Sequence, residues 1–148
     1  MRALVQRTIG AQVLVDGEVI GQIAAGIVIL LGVAPADTQE TADALAVKAA
    51  ELRIFRDDAG KTNRSLLDLG GEALVISQFT LYADTSRGRR PGFTNAAPPD
   101  QAERLYERFA AALAGVGVTV ATGRFGAEMS VELTNDGPFT IWLDSEDG

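Results

Sequence analysis

Apolar residues at Val13, Val15, Val19 and Ile23 flank the turn dipeptide Asp16-Gly17, a strong hairpin signal, and residues 3–33 read as β structure. Gly26 to Val33, GIVILLGV, is a short and fully apolar run, which predicts a strand buried on both faces. Pro35 then breaks the chain, and Asp37 with Glu40 three residues on has the form of a capping box. Ala42, Leu45, Ala46, Ala49 and Leu52 follow at helical spacing, so the pattern predicts a helix over 38–54 with one apolar face.

Residues 57–63 read as loop, and 73–81 as a central strand that carries Ser77-Gln78-Phe79-Thr80. From 84 to 99 the chain is rich in Gly, Pro, Arg and Asn and has no period. A loop of that length inside a compact domain is usually functional. Pro98, Pro99 and Asp100 open a second helix, with Glu103 three residues after the acidic cap; Ala102, Leu105, Phe109 and Ala112 form its core face and Gly115 ends it. Residues 118–122 and 129–142 read as two or three strands, interrupted at Asn135-Asp136-Gly137-Pro138. By residue type alone, Phe125, Met129 and Trp142 belong to the core. The sum is one α/β domain over 1–148 with strands on both sides of two helices. The expected architecture is a mostly antiparallel or mixed sheet packed with two main helices, ending in a short acidic tail at 144–148.

Length and composition narrow the function. A chain of 148 residues is one ordinary domain with room for a real core. The longest apolar stretch, 23–34, contains two glycines and falls short of the roughly 20 residues that span a bilayer. The opening MRALVQRTIG lacks the apolar core of a signal peptide, so the cytoplasm is the expected location and no membrane is expected as a partner. There is no Cys and no His. That excludes disulfides and the thiolate and imidazole ligands that zinc sites mostly use. It also removes the side chain best suited to general base work near neutral pH. Any hydrolysis must then draw on carboxylates, hydroxyls, backbone amides or the substrate itself, and neither metal nor cofactor is expected.

A net charge of −7 disfavours nucleic acid at first sight. The basic residues are uneven, however: Arg53, Arg56, Lys61 and Arg64 fall in one segment and Arg87, Arg89 and Arg90 in another. Solvated faces are the plainer reading, and a local basic footprint on an acidic body is the other.

Three segments offer chemistry. Alternation along a strand places Ser77, Phe79 and Leu81 on one face and Gln78 and Thr80 on the other. Their polar groups either bond the exiting backbone or hold a ligand. With no His to activate a hydroxyl, positioning and polarisation are their expected roles, not covalent catalysis. The second segment, Arg87 to Asn95, combines arginines, glycines and Phe93; any exposed loop can be basic, yet these types also meet phosphates and stack on bases. The third, Asn135-Asp136-Gly137-Pro138, is either an ordinary turn or a backbone element presented to a ligand, and the sequence leaves the isomer of its Gly-Pro bond open.

Taken in order, SQFTLYAD, GRRPGF, Gly-Arg-Phe-Gly-Ala-Glu-Met at 123–129 and NDGPFT at 135–140 resemble the D-aminoacyl-tRNA deacylase family, from RALVQR to Leu143. The loop departs from the family at Gly92, where a Ser is expected. The resemblance implies a homodimer with active sites at the subunit interface, and D-aminoacyl-tRNA and glycyl-tRNA as substrates. Ser77, Gln78, Phe79 and Thr80 would line the pocket, with Phe125 and Met129 nearby and Arg7 in support. Gly137-Pro138 would be a Gly-cisPro motif entering from the partner, whose carbonyls exclude an L side chain. The terminal adenosine's 2′-hydroxyl would assist catalysis, with backbone amides holding the oxyanion. Arg87, Arg89 and Arg90 would meet the tRNA. The competing reading is a non-catalytic nucleic-acid-binding dimer.

Overall fold

The structure, a computed structural model, describes residues 1–147. The hairpin forms as the sequence predicts. β1 (Arg2–Val15) turns into β2 (Glu18–Ile23) through Asp16 (φ 50°) and Gly17 (φ 79°), two left-handed residues that match the twist of the flanking strands. β3 (Gly26–Gly32) lies antiparallel to the first half of β1, and β6 (Glu72–Ser77) and β7 (Thr119–Thr122) add to it in parallel. β8 (Ser130–Asp144) runs antiparallel along the other edge of β1. The sheet curls almost shut. A Cβ built on Gly21 of β2 would stand 2.5 Å from the carbonyl oxygen of Thr122 on β7.

Alternation within the strands divides the core in two. Ile27, Ile29 and Leu31 of β3, with Ala73 and Val75 of β6, face α1 (Gln39–Glu51) and α3 (Pro99–Gly115). Val28, Leu74 and Ile76 point the other way, into a second cluster with Val13 and Ile23 inside the curl. From the helices come Leu45, Ala46 and Ala49 on one side and Phe109 and Leu113 on the other. Arg108 of α3 donates from Nε and Nη2 to the two carboxylate oxygens of Asp43 on α1, at 2.7 and 2.8 Å.

Several boundaries differ from the sequence reading, each for a local reason. α1 is capped by Thr38, not Asp37: the Thr38 and Thr41 side chains each accept from the other's backbone N–H. Asp37 is drawn away, accepting from the Met1 ammonium at 2.7 Å and the Ala34 N–H at 2.7 Å. α3 begins at Pro99, whose missing N–H costs nothing in a first turn, and Asp100 lies inside that turn. The predicted loop at 57–63 is the tip of a small hairpin, β4 (Phe55–Arg56) with β5 (Thr62–Arg64), followed by a one-turn helix α2 (Leu66–Leu69) capped by Ser65. Trp142 is no core residue. Nearly half exposed at 47%, it sits at the edge of β8 with the Arg2 guanidinium 5.6 Å from its ring.

The last strand is not interrupted at 135–138. β8 stays paired with β1 on both sides of that segment, Gln6 opposite Thr140 and Thr8 opposite Asn135. Residues 136–139 therefore bulge outward opposite Arg7 alone. In the C-terminal tail, Asp144 pairs with Arg2 at 3.1 Å and the Ser145 N–H donates to the Met1 carbonyl; Gly148 lies outside the described residues. No helix among the described residues is long and apolar enough to cross a membrane.

Candidate functional site

Parallel strands direct their carboxyl ends toward one edge of a sheet, where open α/β folds commonly hold ligands. Here β3 and β6 end side by side with Leu31 paired to Ser77, and a cavity of about 610 Å³ opens beyond them. The strand reading of 73–81 is corrected at this point. β6 stops at Ser77, the Gln78 N–H donates to Leu31 O at 2.7 Å, and Phe79–Tyr82 wind into a 3₁₀ turn closed by Leu81 N–H to Gln78 O at 3.2 Å. β7 ends opposite Val75 and β3 ends at Gly32, one residue beyond the Leu31–Ser77 pair, so the ladder offers β6 no further partner. The two-faced alternation expected for 77–81 does not exist.

The turn gathers Ser77, Gln78 and Phe79 around the cavity, and Phe125 and Met129 also line it. Phe79 is 54% exposed and meets Phe93 edge-on at 5.0 Å, so the long loop folds an aromatic back over the opening. Phe125 is braced by Tyr106, ring centroids 6.0 Å apart. The Tyr106 hydroxyl donates to Val75 O at 3.0 Å, and burial pushes its phenol up, so it stays protonated. Thr80 does not line the cavity; its hydroxyl is a partner of the Gln78 side-chain amide. Sequence reasoning missed Glu128, the one ionisable side chain among the described lining residues, and the apolar floor of Leu31, Val33 and Ala97. Glu128 sat inside the 123–129 motif, but an exposed Glu beside a turn carries no signal of its own.

The 136–139 bulge is a second, separate construction. Its Gly137-Pro138 peptide is cis. Arg7, only 2% exposed, stands under it. Its Nε donates to Asp136 O at 3.2 Å and pairs with the Asp136 carboxylate at 3.0 Å; Nη2 reaches Gly137 O at 3.4 Å and Nη1 donates to Ile54 O at 2.6 Å. The guanidinium also lies 4.4 Å from the Phe139 ring. Asn135 ties the neck of the bulge, its Nδ2 donating to Arg7 O and Phe139 O, each at 3.1 Å. Gly137 and Pro138 themselves are exposed, and within one chain they take no part in the cavity.

Arg87, Arg89 and Arg90 are exposed and likewise stand off the cavity. Their loop is closed by paired backbone bonds between Asp84 and Gly92 at 2.7 and 2.9 Å. Gly92 makes both through its backbone, so the closure does not need the side chain expected there. The Asp84 carboxylate accepts from the Ser86 hydroxyl and N–H, which lowers its pKa and fixes the start of the loop.

With this geometry in place, the chain can be set against known proteins. Residues 4–144 match the family model described as D-Tyr-tRNA(Tyr) deacylase. A D-aminoacyl-tRNA deacylase of Ruegeria pomeroyi is 61% identical over 144 residues, 97% of this chain and 99% of that one. One of Deinococcus radiodurans is 58% identical with the same coverage. A solved structure of a c-Myc DNA Unwinding Element Binding Protein superposes with a TM-score of 0.92 at 41% identity, covering 97% of this chain and 98% of its own. A structure described as a probable eukaryotic D-amino acid tRNA deacylase shares the fold, with a TM-score of 0.84 at 17% identity. The chain belongs to the D-Tyr-tRNA(Tyr) deacylase family.

Proposed function

We infer that the cavity at the ends of β3 and β6 is where the chain breaks the ester between a D-amino acid and the 3′ end of tRNA. The activity follows from family membership: relatives at 58–62% identity along nearly their whole length are D-aminoacyl-tRNA deacylases, and the chain is a hydrolase of that kind. The observation that carries the placement is the convergence of Ser77, Gln78, Phe79, Phe125 and Met129 on one cavity.

Such a wall has neither imidazole nor thiol, and the Ser77 hydroxyl has no base to activate it, so the reading draws on the substrate's own groups and on the backbone. In a 3₁₀ turn whose first bond runs from Leu81 to Gln78, the N–H groups of Phe79 and Thr80 have no partner within the turn. They are suited to hold the oxyanion formed when water adds to the ester carbonyl. The 2′-hydroxyl of the terminal adenosine orients that water. The bond to the ribose 3′ oxygen then breaks, giving a free amino acid and a free 3′-hydroxyl.

Stereochemical choice falls to the bulge. In a homodimer, the exposed Gly137-Pro138 of one subunit enters the partner's cavity, where its carbonyls occupy the space of an L side chain and accept from the α-ammonium. A D side chain points elsewhere and glycine has none, so both are cleaved. Arg7 positions the motif, and Arg87, Arg89 and Arg90 lie where an exposed loop can meet tRNA phosphates. No cofactor is needed, and the substrate places the work in the cytoplasm.

The name of the 41% identical neighbour describes DNA binding, which favours a second reading as a non-catalytic nucleic-acid-binding dimer. Incubating the purified protein with D-Tyr-tRNA, L-Tyr-tRNA and Gly-tRNA, chelator present, separates the two. Cleavage of the first and third alone is expected; cleavage of none sinks the hydrolase. Thr80→Ala tests the division of labour. Because the hydroxyl lies off the cavity and lacks a base, the variant is expected to keep at least about a third of wild-type kcat/KM, whereas loss of ~10³-fold or more would point to a hydroxyl nucleophile.

A further inference from the structure

The basic residues at 53–64 have no role in the reading above, and their placement gives them one. We propose that the β4–β5 hairpin is a docking surface for the phosphate backbone of the tRNA substrate, with Arg56 and Lys61 making the contacts. The proposal rests on the deacylase reading, in which the Gly137-Pro138 bulge meets the aminoacyl end.

Charge is the first support. Residues 53–64 hold four of the 13 basic residues and two acids, a net +2 within a chain of −7. Both acids are engaged inside the hairpin. Asp57 accepts from the N–H groups of Ala59 and Lys61, each at 2.9 Å, and from the Asn63 amide at 3.3 Å, bonds that lower its pKa. Asp58 pairs with Arg64 at 3.2 Å. Arg53 spends its Nε on Asn63 O at 2.9 Å. Arg56 and Lys61 remain: both are exposed, and neither side chain has a hydrogen-bond or acidic partner among the described residues. The structural bonds shape the tip and leave two cations directed to solvent.

Position is the second support. One guanidinium, that of Arg7, bonds Ile54 at the root of the hairpin and Asp136 at the edge of the bulge. Phe55 and Asp136 also line a common cleft of about 300 Å³. The hairpin is thus mounted on the same side chain that carries Gly137-Pro138. At ~3.3 Å per residue, the rise from Ile54 to the tip, which Asp57 N–H to Lys61 O and Gly60 N–H to Asp57 O close, sets Arg56 and Lys61 within roughly 10 Å of that root. A chain of phosphates leading away from an aminoacyl end at the bulge has a cationic track within that reach. Electrostatic contacts of this kind supply affinity without sequence preference.

The experiment compares wild type with Arg56→Gln/Lys61→Gln on full-length D-Tyr-tRNA and on the D-tyrosyl ester of adenosine, which has no phosphates. Expected for the variant is a KM for the tRNA raised at least about fivefold with kcat unchanged, and a log–log salt dependence of kcat/KM shallower by ~1–2. Hydrolysis of the nucleoside ester is expected to stay at the wild-type rate, and Arg104→Gln on α3 to leave both substrates unaffected. An unchanged KM and salt slope overturn the proposal, as does an equal loss on both substrates. Binding of uncharged tRNA to the same proteins is measured in parallel. If the wild type cleaves neither substrate, the deacylase reading falls, and equal tRNA affinity of wild type and variant then overturns the docking surface separately.

Discussion

Gly26→Ala is expected to abolish the fold or cost at least about 4 kcal/mol, the range reserved for changes that the backbone cannot absorb. Gly26 opens β3 directly opposite Glu72, the first residue of β6. A Cβ there would stand 1.8 Å from the Glu72 carbonyl oxygen and 2.8 Å from its carbonyl carbon and nitrogen. All three are main-chain atoms, so no side chain can rotate to make room. Relief requires the strands to part where the parallel ladder starts, and that ladder carries the inward and outward core residues of both strands. The far end of the same pair carries the Leu31–Ser77 junction that frames the cavity. A urea or thermal unfolding curve is the measurement. At roughly 2–4 °C per kcal/mol for a domain of this size, the midpoint is expected to fall by about 10 °C or more if the variant folds at all. Gly115→Ala is the companion. Nothing lies within 4 Å of its Cβ position at the end of α3, and a gain or loss within ~1 kcal/mol is expected there. A wild-type midpoint for Gly26→Ala would mean that β3 and β6 are not held together as described.

Gly26 also marks the limit of what the sequence disclosed. The apolar run from 26 to 33 announced a strand buried on both faces, because burial on two sides leaves no polar alternation. Which strand lies beside it, and at what register, depends on contacts far along the chain, and no local pattern encodes them. The same division holds at the site. Ser77, Gln78 and Phe79 were legible as an unusual polar step at the end of an apolar strand. The turn that brings them round the cavity was not, since it follows from β3 and β7 ending beside β6. Thr38 displaced Asp37 as the cap of α1 because the Met1 ammonium, distant in sequence, attracts the Asp37 carboxylate. Asn135-Asp136-Gly137-Pro138 carried turn chemistry and became a bulge. Its neighbours on both sides keep pairing with β1, and a buried arginine fills the gap beneath. An Arg inside an apolar alternating strand was the available signal, and on its own it marks a snorkelling surface residue as readily as a buried one.

Arg7→Met is the second large effect, and it separates what holds the bulge from what the bulge does. The substitution keeps volume and removes a guanidinium that satisfies Ile54 O, Asp136 O, Gly137 O and the Asp136 carboxylate together. Breaking a buried ion pair from one side costs about 3–5 kcal/mol when the remaining charge stays buried. Asp136 is a third exposed and regains water, which moves the expectation to the lower end, about 3 kcal/mol. Arg7→Lys keeps the charge, but one ammonium cannot reach acceptors spread around a planar fork. It is expected to recover less than half of the loss. Asp136→Asn in both backgrounds completes a cycle, with a coupling of about 1–2 kcal/mol expected between side chains in direct contact. Catalysis is then assayed well below each variant's midpoint. If Arg7 positions Gly137-Pro138, Arg7→Lys loses hydrolysis of D-Tyr-tRNA by about tenfold or more while still fully folded, more than its stability loss would remove under those conditions. Full activity in a folded Arg7→Lys would show that the bulge keeps its shape without the fork, leaving Asn135 and the β1–β8 pairing to hold it.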